Sequence, residues 1–254
     1  MQSLGIQCVA LMYGFSMGAM IAFEYCVQFP SQVKSAITVC GSAKCNLANG
    51  WFLQHLADAL RSDPSAEVDL QSNRILGFNG QRQPEAMNRF AQIYADWIFD
   101  GPRPERDGAV CPNSARPPFA RCIIDEGRSF KDKLHGAQST EEWFEVFRKR
   151  YSKWHAIEYY EVSDTWRRGD VSVNPVFRGD LKKALQTVQA KMWIRPSTTD
   201  QYFRAEEIKL EAEMVPNAIF QPLESSLGHF AEFDDACQAS INETIQAALK
   251  HAGL

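Results

Sequence analysis

The sequence has no long apolar run, no strong charge of either sign and no internal repeat. None of its apolar runs reaches the ~18 to 20 residues that a membrane-spanning helix needs, and its first residues lack the basic-then-apolar pattern of a secretory signal. The formal net charge of −4 disfavours nucleic acid and anionic membranes as partners, because a mildly acidic surface attracts neither. We therefore expect a soluble, cytoplasmic protein.

Cysteine is sparse and scattered, and motifs for metal, nucleotide or flavin binding are missing. The seven cysteines are an odd number, and several lie inside predicted core elements. This favours reduced, buried thiols over a disulfide framework, with a Cys40–Cys45 disulfide as the minority interpretation. We expect no metal and no permanently bound cofactor.

Apolar residues are plentiful enough for one substantial core. The 254 residues are 45% hydrophobic and include 16 phenylalanines. A chain of this length fits one large domain with an insertion better than two independent domains.

The most informative motif is Gly14-Phe15-Ser16-Met17-Gly18, which directly follows the apolar run 8–13. A Gly-x-Ser-x-Gly sequence between a strand and a helix is typical of a nucleophile elbow, in which a strained turn exposes the serine hydroxyl. The glycines are expected to allow close approach of the backbones. A helix is predicted over 17–29, with Pro30 as its stop. A glycine-rich turn without a catalytic role is the alternative.

The rest of the chain predicts an α/β fold interrupted by a helical insertion. Strands are expected at 36–40, 191–196 and 218–223, and helices at 205–214 and 236–251. Between them, helical periodicity at 51–60, 84–99, 140–160 and 180–188 alternates with loops such as 100–118. Its many aromatic residues favour a core that holds the insertion onto the sheet over a ligand cage. We assign 1–43 and 190–254 to the core and 44–189 to a helical lid.

Three residues with complementary chemistry follow successive predicted strands. They are Ser16, Asp200 and His229, in the nucleophile, acid, base order that is characteristic of α/β-hydrolases. The histidine would take the serine proton and the acid would orient the imidazole. The loops at the carboxyl ends of parallel strands share one rim, where such residues can meet. Weaker candidates for the acid are Asp170, Asp180 and Glu224. The backbone N–H of Met17 is the expected oxyanion donor.

A set of further motifs carries a family resemblance over nearly the whole chain. The chain resembles the homoserine O-acetyltransferase-like branch of the α/β-hydrolase superfamily. The matching residues, in chain order, are Tyr13 to Met20, Gln28-Phe29-Pro30, Cys40 to Lys44, Val173-Asn174-Pro175, Phe177 to Leu181, Pro196, Asp200 to Phe203, Val215 to Ala218 and Ser226 to Phe230.

The resemblance implies an α/β-hydrolase fold, a mostly parallel sheet flanked by helices with a helical lid, and a ping-pong reaction through an acyl-serine. It implies Ser16 as nucleophile, Asp200 as acid and His229 as base, and acetyl-CoA or another acyl-CoA as co-substrate, with a hydroxyl acceptor or water. The family's first strands and its other oxyanion donor are expected to be absent from an N-terminally truncated core.

Two interpretations stay open at this stage. One is an enzyme, either an O-acyltransferase or an ester hydrolase, which share the acyl-enzyme and differ in whether an alcohol or water resolves it. The other is a catalytically impaired, truncated paralogue that acts as a binding or partner-dependent protein. Assembly into a homo-oligomer is also left open.

Overall fold

The computed structural model describes residues 3, 5–97, 140–225 and 227–254. It divides into two compact units: residues 1–46 and 168–254, here called the core unit, and residues 47–167, here called the insertion unit. The described strands are β1 (Val9–Phe15), β2 (Val33–Val39), β3 (Glu67–Val68), β4 (Ile75–Gly77), β5 (Lys191–Arg195) and β6 (Ala218–Phe220). The described α-helices are α1 (Met17–Gln28), α2 (Leu47–Arg61), α3 (Ala86–Trp97), α4 (Thr140–Tyr151), α5 (Ala156–Arg167), α6 (Leu181–Leu185), α7 (Ala205–Ala212) and α8 (Asp235–Ala252).

A parallel sheet organises the core unit. Its strands run in the order β1-β2-β5-β6, and each neighbouring pair is parallel. Residues of β2 are buried at nearly every position, because a central parallel strand is covered on both faces. The strands end at one edge, where Phe15 lies opposite Val39 and Val39 lies opposite Arg195. The predicted parallel sheet and its strands are confirmed, and the loops that should carry the chemistry follow this edge.

Helices pack on this sheet. Helix α1 contacts β1 and β2, and α8 contacts the same strands. Ile37, Val39 and Trp193 form one buried cluster with residues of α8. Helix α8 begins at an Asp234 cap, which accepts a hydrogen bond from the Ala236 N–H at 3.1 Å. Its ends therefore agree with the predicted range 236–251 to within one residue.

The insertion unit is helical around an aromatic interior. It contains α2, α3, α4 and α5 with the short β3–β4 hairpin, which the sequence did not predict. Phe52, Phe90 and Phe147 are fully buried, and Phe90 lies against the rings of Tyr94 and Tyr151. The predicted loop 100–118 and Phe99 lie outside the described residues.

The helical periodicity predicted over 140–160 is confirmed, but the helix is interrupted within this range. The structure has two helices, α4 and α5, with a turn between them. The turn forms because the Ala156 N–H donates to the distant carbonyl of Arg82 at 3.0 Å. The Glu158 carboxylate accepts from the His155 N–H at 2.7 Å and so caps the second helix.

The boundary that the sequence placed after residue 189 also differs from the division seen here. Residues 168–189 belong to the core unit. The reason is that residues just before the insertion unit pair with residues just after it. The Val171 N–H donates to the Ala43 carbonyl, and the Cys45 N–H donates to the Gly169 carbonyl. Lys44 and Asp170 add an ion pair of 2.9 Å. These bonds fasten the returning chain to the end of β2.

The cysteines in the described residues are all free thiols. They include Cys40 and Cys45, so the minority disulfide is wrong. Cys111 and Cys122 lie outside the described residues.

Over the ranges that the structure describes, no helix is long and apolar enough to cross a membrane.

Candidate active site

The nucleophile elbow has the strained geometry that its sequence predicts. Ser16 lies between β1 and α1 with φ 55° and ψ −124°, a backbone conformation that residues other than glycine rarely adopt. Its N–H continues the parallel ladder by donating to the Val39 carbonyl at 2.9 Å. Although Ser16 is the N-cap of α1, its hydroxyl makes no capping hydrogen bond. The half-buried hydroxyl is therefore available for another partner.

Close packing at the elbow requires Gly14, but the second glycine involved is not Gly18. A Cβ on Gly14 would lie 2.2 Å from the carbonyl oxygen of Gly18. A Cβ on Gly41, in the loop after β2, would lie 2.4 Å from the Ala19 Cβ and 2.6 Å from the Ser16 carbonyl oxygen. By contrast, a Cβ on Gly18 would meet no described atom within 4 Å. The expectation that Gly18 is needed for backbone approach is thus wrong, and Gly41 has that role.

The carboxylate of Asp200 is fully buried and fixed by the backbone. It lies in the loop after β5, and its Oδ1 accepts hydrogen bonds from the N–H groups of Tyr202 at 2.8 Å and Phe203 at 3.2 Å. Hydrogen bonds of this kind are what make a buried charge tolerable. They leave Oδ2 directed at the third residue of the set.

His229 connects the acid to the serine. Its Nδ1 lies 2.8 Å from Asp200 Oδ2, and its Nε2 lies 2.8 Å from Ser16 Oγ. The structure therefore brings together the three residues that the sequence singled out, across separations of 29 and 213 positions. With a proton on Nδ1, the lone pair of Nε2 can accept the serine proton.

Aromatic rings surround the imidazole. Phe15, Tyr202 and Phe203 have ring centroids 5.0, 5.0 and 5.6 Å from that of His229. His229 itself is 6% exposed. These rings limit where the imidazole can move and lower the local polarity, so the polar contacts to Asp200 and Ser16 determine its orientation.

A tyrosine and a glutamate tie the histidine-bearing turn to β1. The hydroxyl of Tyr13 donates to Glu232 Oε1 at 2.6 Å, and Glu232 lies in the 3₁₀ turn Gly228–Phe233 with His229. Burial, reinforced by the Glu232 carboxylate, raises the pKa of Tyr13 far above its ordinary value. The phenol therefore keeps its proton and remains a donor.

The weaker candidates for the acid are engaged elsewhere. Asp170 pairs with Lys44, and the side chain of Asp180 caps α6 by accepting the Lys183 N–H at 2.9 Å. Glu224 accepts from the Thr198 hydroxyl at 3.2 Å. Of the four acids that the sequence proposed, Asp200 is therefore the one whose carboxylate contacts His229.

Two residues at the site were missed by the sequence interpretation. The hydroxyl of Thr199 donates to the Ser225 carbonyl at 2.7 Å and accepts from the Gly228 N–H at 3.0 Å, joining the acid loop to the histidine loop. The thiol of Cys40 lies beside Asp200 and His229. Only the position of Cys40 at the end of a predicted strand could have indicated it.

The same cluster is the one metal-compatible group that the described ranges contain. Single ligand atoms of Cys40, Asp200 and His229 lie within 4.8 Å of one another. The Asp200–His229 hydrogen bond already joins two of these three residues. Metal binding here would therefore exclude the hydrogen bonding that links the acid to the base.

Comparison with known proteins bears on the fold. A family model for the alpha/beta hydrolase fold matches residues 1–97. An ethyl acetate hydrolase of Pseudomonas veronii is 29% identical over 235 residues, which cover 92% of this chain and 58% of that protein. A homoserine O-acetyltransferase of Chloroherpeton thalassium is 23% identical over 236 residues, covering 90% of this chain and 53% of that protein.

Among solved structures, the acetyl esterase MekB superposes with a TM-score of 0.72 at 26% identity, and the match covers all of this chain and 64% of that one. The chain spans less than two thirds of the length of each of these three proteins. The family-model match, the relatives and the shared parallel sheet together show that this chain has the α/β-hydrolase fold.

Proposed function

We propose that this protein hydrolyses carboxylic esters of small acyl groups, such as acetyl esters, through an acyl-serine. The observation that carries the proposal is the continuous relay from Ser16 Oγ through His229 to Asp200, with both hydrogen bonds at 2.8 Å. A serine hydroxyl is a weak nucleophile at neutral pH unless a base lies within hydrogen-bonding distance. The relay supplies that base and fixes its orientation.

In the acylation step, Ser16 Oγ attacks the carbonyl carbon of the ester while His229 Nε2 takes the hydroxyl proton. The resulting imidazolium is stabilised by Asp200 and then gives the proton to the leaving alkoxide as the C–O bond breaks. The products of this half-reaction are the free alcohol and the acyl-serine ester.

The oxyanion of the tetrahedral intermediate needs donors that already point at it. Met17 is the first residue of α1, and N–H groups in the first turn of a helix have no acceptor within the helix. Its N–H therefore serves as one oxyanion donor, next to the nucleophile. The positive end of the α1 dipole acts in the same direction.

In the second step, water attacks the acyl-serine while His229 takes its proton, and the acid and Ser16 are released after the proton returns to Oγ. An alcohol in place of the water would give acyl transfer with the same residues. The similarity to an ethyl acetate hydrolase and to an acetyl esterase favours water and an acetyl group.

The second candidate function is O-acyl transfer from an acyl-CoA to a hydroxyl acceptor such as homoserine. The observation that favours it is the similarity to a homoserine O-acetyltransferase over 90% of this chain. Both candidates require the same acyl-serine, so they are distinguished by the product and not by the site.

The test is covalent labelling combined with product analysis on the full chain. A fluorophosphonate probe should label wild-type protein at Ser16, as identified by peptide mass spectrometry, and 4-nitrophenyl acetate should be hydrolysed. Ser16→Ala should lose both activities. Ser42→Ala is the matched control, because it removes a buried hydroxyl of the core unit that donates to the Lys44 carbonyl at 2.7 Å.

Labelling of another residue, or retention of hydrolysis by Ser16→Ala, would contradict the proposal. A folded sample that is neither labelled nor active would favour the non-catalytic interpretation. Incubation with acetyl-CoA, with and without homoserine, separates the two activities: formation of O-acetylhomoserine without competing release of acetate would replace hydrolysis by transfer as the main reaction.

A further inference from the structure

Two neighbouring strands of the core unit end in the same unusual way. Ser16 follows β1 and Cys40 follows β2, and both have a positive φ, 55° and 47°. Each continues the sheet ladder by one bond: the Ser16 N–H donates to Val39 and the Cys40 N–H donates to Arg195, at 2.9 and 3.1 Å. Positive φ is costly for residues with a side chain, and such strain concentrates at functional positions.

The strained turn at Cys40 is held against the elbow. The following residue, Gly41, packs so closely on α1 that an added Cβ would lie 2.6 Å from the Ser16 carbonyl oxygen. Cys40 itself is completely buried. The turn after β2 is therefore fixed between the nucleophile on one side and the end of β5 on the other.

This turn brings the Cys40 thiol to the acid. Its Sγ, a carboxylate oxygen of Asp200 and a ring nitrogen of His229 lie within 4.8 Å of one another. Burial, together with the nearby Asp200 charge, raises the pKa of the thiol well above its ordinary value, so it keeps its proton and can donate.

We propose that Cys40 is a positioning residue for the catalytic acid: its thiol donates a hydrogen bond to the Asp200 carboxylate and so limits how strongly Asp200 binds His229. This rests on the proposed function, in which Asp200 acts on the substrate only through His229. Cys40 is not a nucleophile in this scheme, because its proton stays on sulfur.

The physical consequence follows from sharing one carboxylate among several donors. Asp200 accepts from two backbone N–H groups and contacts His229, and in this proposal it also accepts from the thiol. Removing the thiol leaves more negative charge for the His229 Nδ1–H bond. That bond becomes stronger, and the protonated imidazole becomes more stable relative to the neutral one.

The titratable and charged groups around His229 are few in the part of the chain that the structure describes. Asp200 and Tyr202 approach from the loop after β5, and Cys40 approaches from the end of β2. Glu232 lies on the same 3₁₀ turn and is bonded to Tyr13 of β1. Substitution of Cys40 leaves the serine, the acid and the base themselves unchanged.

The experiment compares Cys40→Ala and Cys40→Gly, which both lack the donor, with Cys40→Ser, which retains one. Glycine suits the positive φ, so at least one donor-free variant is free of backbone strain. Cys26→Ala is the matched control, because Cys26 on α1 is equally buried in the same unit. The first readout is the low-field proton resonance of His229 Nδ1–H by NMR, assigned by its loss in His229→Gln.

We expect this resonance to move downfield in both donor-free variants and to stay in place in Cys40→Ser and Cys26→Ala. In the hydrolysis assay, the acid limb of the kcat/KM profile should move to higher pH in the donor-free variants and stay in place in Cys40→Ser and Cys26→Ala.

An unchanged resonance in Cys40→Ala and Cys40→Gly would overturn the proposal, and so would an equal shift in Cys26→Ala. Equal losses of thermal stability in all four variants, with an unmoved resonance, would make Cys40 a packing residue. The NMR readout needs no turnover. Absence of esterase activity with a shifted resonance would therefore contradict the proposed function while supporting the role of Cys40.

Discussion

The core unit and the insertion unit differ in the largest side chains that they bury fully. Among the largest fully buried side chains, those of the insertion unit are apolar. They are Phe52, Leu53, Leu56, Leu60, Phe90 and Phe147. The core unit also buries Arg195, whose guanidinium donates to the Gln221 and Ser240 carbonyls and to two hydroxyls. Acidic side chains are buried in both units, Asp200 and Glu211 in the core unit and Asp63 and Asp164 in the insertion unit.

This difference indicates which unit can hold reactive side chains in fixed positions. Apolar burial has no direction, so an aromatic interior tolerates small rotations of its rings. A buried charge needs partners at defined positions, and the core unit provides them from the backbone at the ends of β2 and β5. The two interiors should therefore respond differently to substitution.

The largest effect is expected from Asp200→Asn in the core unit. The amide cannot hold His229 in the tautomer that leaves Nε2 free to accept a proton, so kcat/KM for 4-nitrophenyl acetate should fall by about 10⁴. Asp170→Asn is the matched control, because it breaks an ion pair with Lys44 in the same unit and leaves His229 untouched. Both variants are assayed after their folding has been checked. Comparable losses of kcat/KM in the two would refute the role of Asp200.

The next effect is one of stability in the insertion unit. Phe90→Ala should lower the free energy of unfolding by about 3 to 5 kcal/mol in urea titration, since the ring is 1% exposed and packs against three tyrosine rings. Trp51→Ala removes a larger ring that is 59% exposed and should cost less than about 1 kcal/mol. Equal losses would mean that the aromatic interior does not stabilise this unit.

A smaller effect is expected from a buried acid of the core unit. Glu211 on α7 accepts the Ala43 N–H at 2.8 Å, and burial raises the pKa of its carboxyl from 4.5 to about 8. Between these two values the unfolded chain is ionised at this position while the folded chain keeps the proton. Stability should therefore fall as pH rises from 5 to 8, by about 2 kcal/mol or more.

Glu211→Gln retains an acceptor for the Ala43 N–H and cannot ionise, so its unfolding free energy should depend less on pH over this window. Glu213→Gln, at an exposed position just beyond the same helix, should leave the wild-type pH dependence in place. Parallel curves for wild type and Glu211→Gln, measured by urea denaturation at several pH values, would contradict the prediction.

Much of the core unit and the triad could be predicted from the sequence, because the signals are local or follow from strand order. The elbow sequence fixes a strand, a turn and a helix within a few residues, and the ends of parallel strands meet at one edge. Asp200 and His229 could therefore be predicted without any information on packing. These two signals predicted the parallel sheet and the contact of Ser16 with His229, and the structure has both.

What could not be predicted depends on contacts between distant segments. The break between α4 and α5 is stabilised by a bond to Arg82, about 70 positions earlier. Cys40 has an ordinary strand-end sequence, and its contact with Asp200 arises only when β2 and β5 pair in register. Likewise, Gly41 and not Gly18 meets the elbow, because the loop after β2 returns over α1.

The smallest effect is expected where the two polar loops are joined. Thr199→Val keeps the shape of the side chain but removes the bonds to Ser225 and Gly228, leaving a buried N–H without its acceptor next to His229. We expect kcat/KM to fall about tenfold through misplacement of the imidazole, which corresponds to about 1.4 kcal/mol. Thr199→Ser should recover most of the activity, since it restores the hydroxyl.

In the insertion unit, Thr165→Val removes a similar bond from a hydroxyl to the Glu161 carbonyl and should leave kcat/KM within twofold. Equal kinetics for Thr199→Val and Thr165→Val would mean that directional polar burial in the core unit does not position the base.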